Sequence, residues 1–219
     1  MKFTRDEIRR SMLLYAVTDR AWLKPGETLP QVARAVLQSG ATFLQIREKD
    51  LDEAAFEAEA EQLRTLCADR RVPFVVNDSV EIALQCGADG VHVGQSDIRG
   101  RDIRAMIGPD RILGISAGTV AEAQAAEAAG TDYIGVGAIF ATGTKKDARN
   151  LTMDALRAIR AAVTIPVVAI GGISAANIDQ LAGSGVDGVA VVSAIFAAED
   201  PAAATAQLRQ KAEALFGHG

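Results

Sequence analysis

Residues 167–172, Val-Val-Ala-Ile-Gly-Gly, decide the fold class of this chain. Residues 167–170 are apolar at every position, which is typical of a strand in a parallel sheet that is covered on both faces. Similar short runs occur along the whole chain, and segments with helical periodicity separate them. The predicted strands are 13–18, 43–47, 74–77, 90–93, 112–116, 133–137, 167–170 and 188–192.

Start signals for helices follow several of these strands. In two of them a polar cap and a glutamate three residues later can satisfy free N–H groups. A short helix over residues 4–11 precedes the first strand. Eight strand–helix units predict a single (β/α)8 TIM barrel domain over residues 1–219, and an open doubly wound sheet is the alternative. The predicted helix starts are Asp50-x-x-Glu53, Thr119-x-x-Glu122, Thr152 and Pro201.

A repeated glycine triplet favours the closed barrel. Each copy ends a helix and introduces an even-numbered strand, and glycine is favoured there because the residue after a helix often has a positive φ. The copies are separated by about two strand–helix units, which fits a fourfold barrel better than an open sheet. They are Gly40-Ala41-Thr42, Gly87-Ala88-Asp89, Gly130-Thr131-Asp132 and Gly185-Val186-Asp187.

Composition and charge argue against several classes of function. With 219 residues, of which 49% are hydrophobic, the chain can form one sizeable core. Its net charge of -5 and aromatic content of 5% predict no nucleic-acid partner. No apolar run is long enough to span a bilayer, and the first residues lack a signal-peptide core. Two cysteines predict no disulfide framework, so we expect a cytoplasmic protein without a membrane partner, open to homo-oligomer formation.

Polar side chains fall at the carboxyl ends of the predicted strands, where barrels of this type carry their chemistry. Gln45, Arg47 and Lys49 close the second strand. Two cations at this position favour a multiply charged anion such as a diphosphate. The alternative is a solvated loop in which Arg47 pairs with Glu48 or Asp50.

Two carboxylates follow the third and fourth strands. Asp78 comes directly after Asn77, and Asp97 follows the fourth strand. Carboxylates on one rim, opposite cations, suit Mg²⁺ bound to a phosphate. Both also have a structural interpretation, since Asp78-x-x-Glu81 is a capping pattern and Asp97 is placed to cap the next turn.

Hydroxyls and glycines follow the last three strands. Thr142-Gly143-Thr144-Lys145 predicts an anion-binding loop that is mobile before substrate binds, with a plain turn as the alternative. Gly171-Gly172 and Ser193 follow the seventh and eighth strands, where such barrels bind phosphate. His92 is expected to be a packed, hydrogen-bonded strand residue instead of a catalyst. The residues indicate a barrel enzyme that acts on phosphorylated small molecules with Mg²⁺.

Together these motifs resemble the thiamine phosphate synthase family, over residues 14 to about 201. The resemblance implies a magnesium-dependent transferase of thiamine biosynthesis. It would condense 4-amino-2-methyl-5-hydroxymethylpyrimidine diphosphate with 4-methyl-5-(2-hydroxyethyl)thiazole phosphate, expected in its carboxylated form, to give thiamine phosphate and pyrophosphate. The motifs are Gln45-x-Arg47-x-Lys49, Asn77-Asp78, His92-x-Gly94-Gln95-x-Asp97, Gly114-Ile115-Ser116, Thr142-x-Thr144-Lys145, Ala169-Ile170-Gly171-Gly172-Ile173 and Val191-Val192-Ser193.

The resemblance also implies a role for each site residue, and it leaves two alternative functions open. One is a thiazole tautomerase paralogue, which has no need of the diphosphate and Mg²⁺ residues, and the other is a non-catalytic phosphate-binding barrel. The family usually has histidine two residues after the serine, where this chain has Gly118. The implied pyrimidine diphosphate ligands are Gln45, Arg47, Lys49, Asn77 and Ser116, the Mg²⁺ ligands Asp78 and Asp97, the thiazole phosphate ligands Thr142, Thr144, Gly172, Val192 and Ser193, and the catalytic residues Arg47, Lys49, Ser116 and Lys145, the last assisting the departing pyrophosphate.

Overall fold

A computed structural model describes residues 3–142 and 151–217. Eight parallel strands form a closed barrel in chain order, so the predicted (β/α)8 barrel is confirmed and the open sheet is wrong. Every predicted strand is present, with its ends shifted by at most one residue. The strands are β1 (Leu14–Val17), β2 (Phe43–Ile46), β3 (Phe74–Asn77), β4 (Gly90–Val93), β5 (Ile112–Ala117), β6 (Tyr133–Val136), β7 (Val167–Ile170) and β8 (Gly188–Val191).

Helices surround the barrel. Between β7 and β8 the described chain has a 3-10 helix, Ile178–Leu181, in place of the predicted α-helix, and a second 3-10 helix, Arg20–Trp22, follows β1. Within residues 3–142 and 151–217, no helix has the length and apolar character needed to cross a membrane. The α-helices are α1 (Arg5–Ser11), α2 (Leu29–Gln38), α3 (Glu53–Ala68), α4 (Val80–Gln85), α5 (Ile103–Ile107), α6 (Val120–Ala128), α7 (Met153–Ala161), α8 (Ser193–Phe196) and α9 (Pro201–Phe216).

Side-chain caps explain where the helices begin. Thr4, Thr119 and Thr152 accept hydrogen bonds from backbone N–H groups in the first turns of α1, α6 and α7, which confirms these predicted starts. The predicted start of α3 at Asp50 is wrong, because Asp52 is the cap and accepts from the Ala55 N–H. Asp50 belongs instead to the turn that follows β2.

Alternation along the strands divides the apolar side chains into two layers. One layer, which includes Leu44, Val76 and Ile134, packs between the strands and the helices. The other fills the barrel, and its amino-terminal end is closed by residues that precede β1. Burying each such side chain stabilises the fold by about 1.5–3 kcal/mol. The interior layer contains Tyr15, Val17, Phe43, Val75, Ile112, Tyr133, Val168 and Ala190, closed by Phe3, Ile8 and Met12.

The glycine triplets organise the amino-terminal end of the barrel. All four glycines have a positive φ, as predicted. The last residue of each triplet accepts a hydrogen bond of 2.8–3.0 Å from an N–H near the start of the preceding strand. Arginines on three of the helices that follow even-numbered strands donate to triplet glycine carbonyls. We call this set the basal ring: Thr42, Asp89, Asp132 and Asp187 with Arg104, Arg160 and Arg209.

Candidate active site

A half-buried arginine stands at the carboxyl end of β2. The Arg47 N–H donates to the buried Thr18 hydroxyl at 3.0 Å, which fixes its backbone. In residues 3–142 and 151–217, the Arg47 guanidinium has no hydrogen bond or ion pair. The alternative in which Arg47 pairs with Glu48 or Asp50 is therefore wrong. The barrel mouth carries a cation that is available to an anion.

Glu48 shapes the turn that presents Lys49. Its side chain is only 1% exposed, and Oε1 accepts from the Lys49 N–H at 2.7 Å and the Asp50 N–H at 2.9 Å. Oε2 pairs with Arg20, which also pairs with Glu59 of α3 at 2.8 Å. Burial opposes ionisation, but these N–H groups and the guanidinium hold the pKa of Glu48 below its ordinary value. Sequence reasoning missed this role, because it considered Glu48 only as a partner for Arg47.

Asp78 faces the cations of β2. Its Oδ2 accepts from Lys49 Nζ at 2.7 Å, and its own N–H donates to the His92 carbonyl oxygen at 2.8 Å. The backbone of Asp78 has a φ of 63°, which aspartate tolerates better than most residues. The cap of α4 is Ser79, which accepts from the Ile82 N–H at 3.2 Å. The capping interpretation of Asp78 is therefore wrong.

Asp97 follows β4 and tightens its turn. Its Oδ2 accepts from the Gly94 N–H at 2.8 Å, whereas Asp102 caps the next helix, so the capping interpretation of Asp97 is also wrong.

Asn77, the last residue of β3, is half-buried and lies beside His92 of β4 in the strand register. We call Arg47, Lys49, Asp78, Asp97 and Ser116 the carboxyl rim.

The two carboxylates of the carboxyl rim fit Mg²⁺ bound to a ligand. Within the described ranges, Asp78 and Asp97 each keep Oδ1 free of hydrogen bonds. No group of three histidine, cysteine or acidic side chains suited to a metal was found in that part of the chain. Mg²⁺ commonly takes only one or two protein carboxylates and completes its shell with phosphate and water. The donor set therefore suits a phosphate-bound Mg²⁺ better than a metal held by protein alone.

Ser116 of β5 is held from two sides. Gln95 Nε2 donates to the Ser116 carbonyl oxygen at 2.7 Å, and His92 Nε2 lies 3.0 Å from Ser116 Oγ. His92 is buried and hydrogen-bonded, as predicted. At Gly118, a Cβ would meet only Glu122 Oε2, at 3.5 Å, so the position has room for a side chain.

Gln45 lies inside the barrel. It is 4% exposed, and its Nε2 donates to the Tyr15 hydroxyl at 2.5 Å. Tyr15 in turn contacts Tyr133, with 2.8 Å between their hydroxyl oxygens. No sequence pattern indicates these tyrosine contacts, since residues 15 and 133 are far apart in the chain.

The loops after β6 and β7 pack against each other at the predicted phosphate end. Gly172 has a φ of 65°, and a Cβ there would overlap the Ala141 carbonyl oxygen. This close approach puts Thr142 in the loop beside Gly172, while Val192 precedes the four-residue helix that begins at Ser193. Glycine is thus needed at this position for loop packing, while its predicted place beside the phosphate stays a prediction. Thr144, Lys145 and most of the predicted mobile loop lie outside the described residues.

Two clefts of about 550 Å³ lie away from these residues. One is at the amino-terminal end of the barrel, between Phe3, Arg71 and Phe216. The other is lined by residues of α5 and by the end of α6. The candidate site is therefore identified by the chemistry of its side chains and by its place at the strand ends.

Comparison with known proteins gives the relatives of this chain. A family model described as thiamine monophosphate synthase matches residues 14–195. The chain is 46% identical to the thiamine-phosphate synthase of Clostridium beijerinckii, over 90% of this chain and 94% of that protein. It is 46% identical to that of Moorella thermoacetica, over 84% and 89%. Thiamine phosphate pyrophosphorylase from Pyrococcus furiosus superposes with a TM-score of 0.88 and 38% identity, covering 96% of this chain and all of that one.

Proposed function

The chain belongs to the thiamine monophosphate synthase family, and from this membership we infer that it is a transferase that makes thiamine phosphate. We propose that it does so from the pyrimidine diphosphate and the thiazole phosphate named above. The observation that carries this proposal is Arg47, a cation without an anionic partner in the described chain, next to the Lys49–Asp78 pair. A diphosphate supplies the anion that this arrangement lacks.

The pyrimidine diphosphate binds across the ends of β2, β3 and β5. Arg47 and Lys49 bind the diphosphate oxygens, with Lys49 fixed by the turn around Glu48. Gln45, Asn77 and Ser116 hold the rest of the molecule. Gln45 and Ser116 are held by hydrogen bonds to side chains of neighbouring strands before substrate binds, which reduces the ordering cost of binding.

Asp78 and Asp97 would hold Mg²⁺ together with the diphosphate. When bound, Mg²⁺ would neutralise part of the diphosphate charge. Asp78 is also paired with Lys49, so the carboxylate and the ammonium balance each other while the substrate is absent. Both residues would keep a function once substrate and metal are bound. Lys49 would turn to the diphosphate, and Asp78 would turn to the metal.

The reaction proceeds by loss of the leaving group before capture. The bond from the pyrimidine methylene carbon to the diphosphate oxygen breaks, and its electron pair leaves with pyrophosphate. The thiazole nitrogen then gives its lone pair to the methylene cation and forms the new carbon–nitrogen bond. With the carboxylated thiazole, the carboxylate leaves as carbon dioxide, and the electron pair of its bond stays on the ring carbon, which takes a proton from water. Arg47, Lys49 and Lys145 stabilise the transition state more than the ground state, because negative charge grows on the departing pyrophosphate.

The thiazole phosphate, in its carboxylated form, occupies the ends of β6 to β8. Thr142 and Thr144 contact the thiazole, while Gly172, Val192 and Ser193 surround its phosphate. The mobility of the Thr142–Lys145 loop stays a prediction, and its chemical reason is that water would consume a reactive cation. The cytoplasmic location, the single domain over residues 1–219 and a homo-oligomeric state remain predictions.

The test is a coupling assay with both substrates, followed by mass analysis of the product. We expect thiamine phosphate and pyrophosphate in equal amounts, only when both substrates and Mg²⁺ are present, and loss of activity with a chelator. Each substrate incubated separately is the control. Isomerisation of the thiazole without coupling would instead support the tautomerase, and binding without turnover would support a non-catalytic barrel.

A further inference from the structure

A chain of hydrogen bonds inside the barrel joins two residues of the site. Gln45 Nε2 donates to the Tyr15 hydroxyl at 2.5 Å, and the Tyr15 and Tyr133 hydroxyl oxygens lie 2.8 Å apart. The Tyr133 hydroxyl lies 3.0 Å from His92 Nδ1, and His92 Nε2 lies 3.0 Å from Ser116 Oγ. The chain therefore crosses the barrel from β2 to β5.

The glycine at position 114 leaves room for these hydrogen-bonded side chains. A Cβ at Gly114 would overlap the Tyr133 ring and lie 2.5 Å from His92 Nδ1, so only glycine fits beside the two rings. The side chains of Tyr15 and Tyr133 are 1% and 0% exposed. Burial raises the pKa of both phenols, so both keep their protons and can donate them.

Each hydroxyl has one proton, so the protons of this hydrogen-bond chain can point in either of two directions, which we call the forward and the reverse order. In the forward order Gln45 Nε2 donates to Tyr15, and Tyr15 donates to Tyr133. Tyr133 then donates to His92 Nδ1, and His92 Nε2 donates to Ser116. The Ser116 hydroxyl proton then points away from His92 and is available to another acceptor. In the reverse order the imidazole proton is on Nδ1, and the Ser116 proton points into the chain.

We propose that Tyr133 and His92 are positioning residues that fix the forward order. In that order Ser116 presents its hydroxyl proton to the bound pyrimidine, and Gln45 presents its amide oxygen. An aminopyrimidine edge has an amino donor next to a ring-nitrogen acceptor, which a fixed acceptor and a fixed donor can match. Prearranged groups of this kind need no reorientation when substrate binds. The inference rests on the proposed function, which supplies the pyrimidine.

The tautomer of His92 reports the proton order in the free protein. The sequence has two histidines, so His218→Ala leaves His92 as the single imidazole. Nitrogen-15 NMR of the ring distinguishes the Nε2–H tautomer from the Nδ1–H tautomer. We expect Nε2–H at neutral pH. The Nδ1–H tautomer, or an imidazolium, would overturn the proposal.

Two matched variants separate positioning from packing. Tyr133→Phe removes the donor to His92 Nδ1, so we expect a mixture of His92 tautomers. We also expect kcat/KM for the pyrimidine diphosphate to fall about tenfold, with little change in KM for the thiazole phosphate. Tyr15→Phe removes a similar buried hydroxyl but leaves Tyr133 to hold His92, so the Nε2–H tautomer should persist. An unchanged tautomer and unchanged kcat/KM in Tyr133→Phe would refute the positioning role.

The proposed proton order and the proposed function can be refuted separately. If Tyr133→Phe does not fold, the wild-type tautomer still decides the proton order, because the reverse order requires Nδ1–H. If the wild type shows Nε2–H but couples no substrates, the proposed function and the assignment to a pyrimidine are wrong, while the forward order stands.

Discussion

The two ends of the barrel use arginine in opposite ways. In the basal ring, Arg104 donates to the Gly130 carbonyl oxygen at 2.9 Å and to the Asp132 carboxylate at 2.7 Å. At the carboxyl rim, Arg47 has no such partner in the described residues. A charge whose partners are built into the fold contributes to stability, whereas a charge without one is available to a ligand. The basal end therefore specifies the barrel, and the carboxyl end specifies the reaction.

The largest effect should follow from Asp78→Asn at the carboxyl rim. We expect coupling to fall by about 10²-fold or more, because the change removes charge from the proposed Mg²⁺ and diphosphate site. The thermal midpoint should be unchanged, since Ser79 is the cap and asparagine also tolerates a positive φ. Initial rates across a Mg²⁺ titration measure the first expectation, and thermal unfolding measures the second.

Glu81→Gln is the matched control for Asp78→Asn. Glu81 lies one turn further on and pairs only with Arg101 at the surface in the described chain, at 3.1 Å. Its loss should leave both turnover and stability nearly unchanged. Normal Mg²⁺-dependent turnover in Asp78→Asn would refute the metal assignment of that residue.

Asp132→Asn in the basal ring should lower stability and leave turnover unchanged, which is the reverse of Asp78→Asn. The Asp132 side chain is 8% exposed, and its Oδ2 accepts from both Arg104 and the Leu113 N–H. We expect a loss of about 2 kcal/mol in the free energy of unfolding, with kcat/KM unchanged. Urea denaturation and steady-state kinetics on the same preparation provide both values. A large loss of kcat/KM at full stability would mean that the two ends are not independent.

Glu48→Gln should lower both kcat/KM and the free energy of unfolding, because Glu48 pairs with Arg20 and also shapes the turn that presents Lys49. We expect kcat/KM for the pyrimidine diphosphate to fall about tenfold as the Lys49 turn loosens. The unfolding free energy should fall by about 1 kcal/mol as the Arg20 contact weakens. Glu59→Gln is the control, since it also removes a partner of Arg20 but leaves the turn bonded. Equal kinetic losses in both variants would show that the turn itself is unimportant.

The smallest effect is a pH dependence at the basal end. The Thr4 N–H, Arg71 and the Thr4 hydroxyl lower the pKa of Glu7 from 4.5 to about 2. Because the folded pKa is below the unfolded one, the contribution of Glu7 to stability is present above about pH 4.5 and is lost as pH falls toward 2.

Glu7→Gln should therefore lower the thermal midpoint slightly at pH 7 and not at pH 2. Asp6→Asn, in the same helix turn, is the control. An equal difference from wild type at both pH values would mean that the charge of Glu7 does not act through these contacts.

How much the sequence predicts depends on how local the signal is. The strand Val167–Ile170 is predicted to the residue, because its apolarity and the following glycines are local. The cap of α4 is mispredicted at Asp78, because that residue has a positive φ and the cap is Ser79.

Polar contacts inside the fold are the part that the sequence does not reveal. Tyr15 and Tyr133 are 118 residues apart, and the glycine triplet beside Tyr133 indicates only the start of a strand. Glu48 does lie within a motif, yet its burial depends on Arg20, which is 28 residues away. Such pairs are fixed by barrel closure, so no short pattern predicts them.

The fourfold basal ring also means that Phe3 and Gly217, the first and last described residues, lie at one of four similar seams, three of which an arginine bridges. Arg209 bridges the seam between α9 and β2 to Gly40, as Arg104 bridges the one between α5 and β6. Phe3 and Gly217 line the same cleft, so a linker between these two residues would stay at the basal end of the barrel. A circular permutant opened between residues 109 and 110, in the exposed turn before β5, should therefore close the same barrel and keep its carboxyl rim intact.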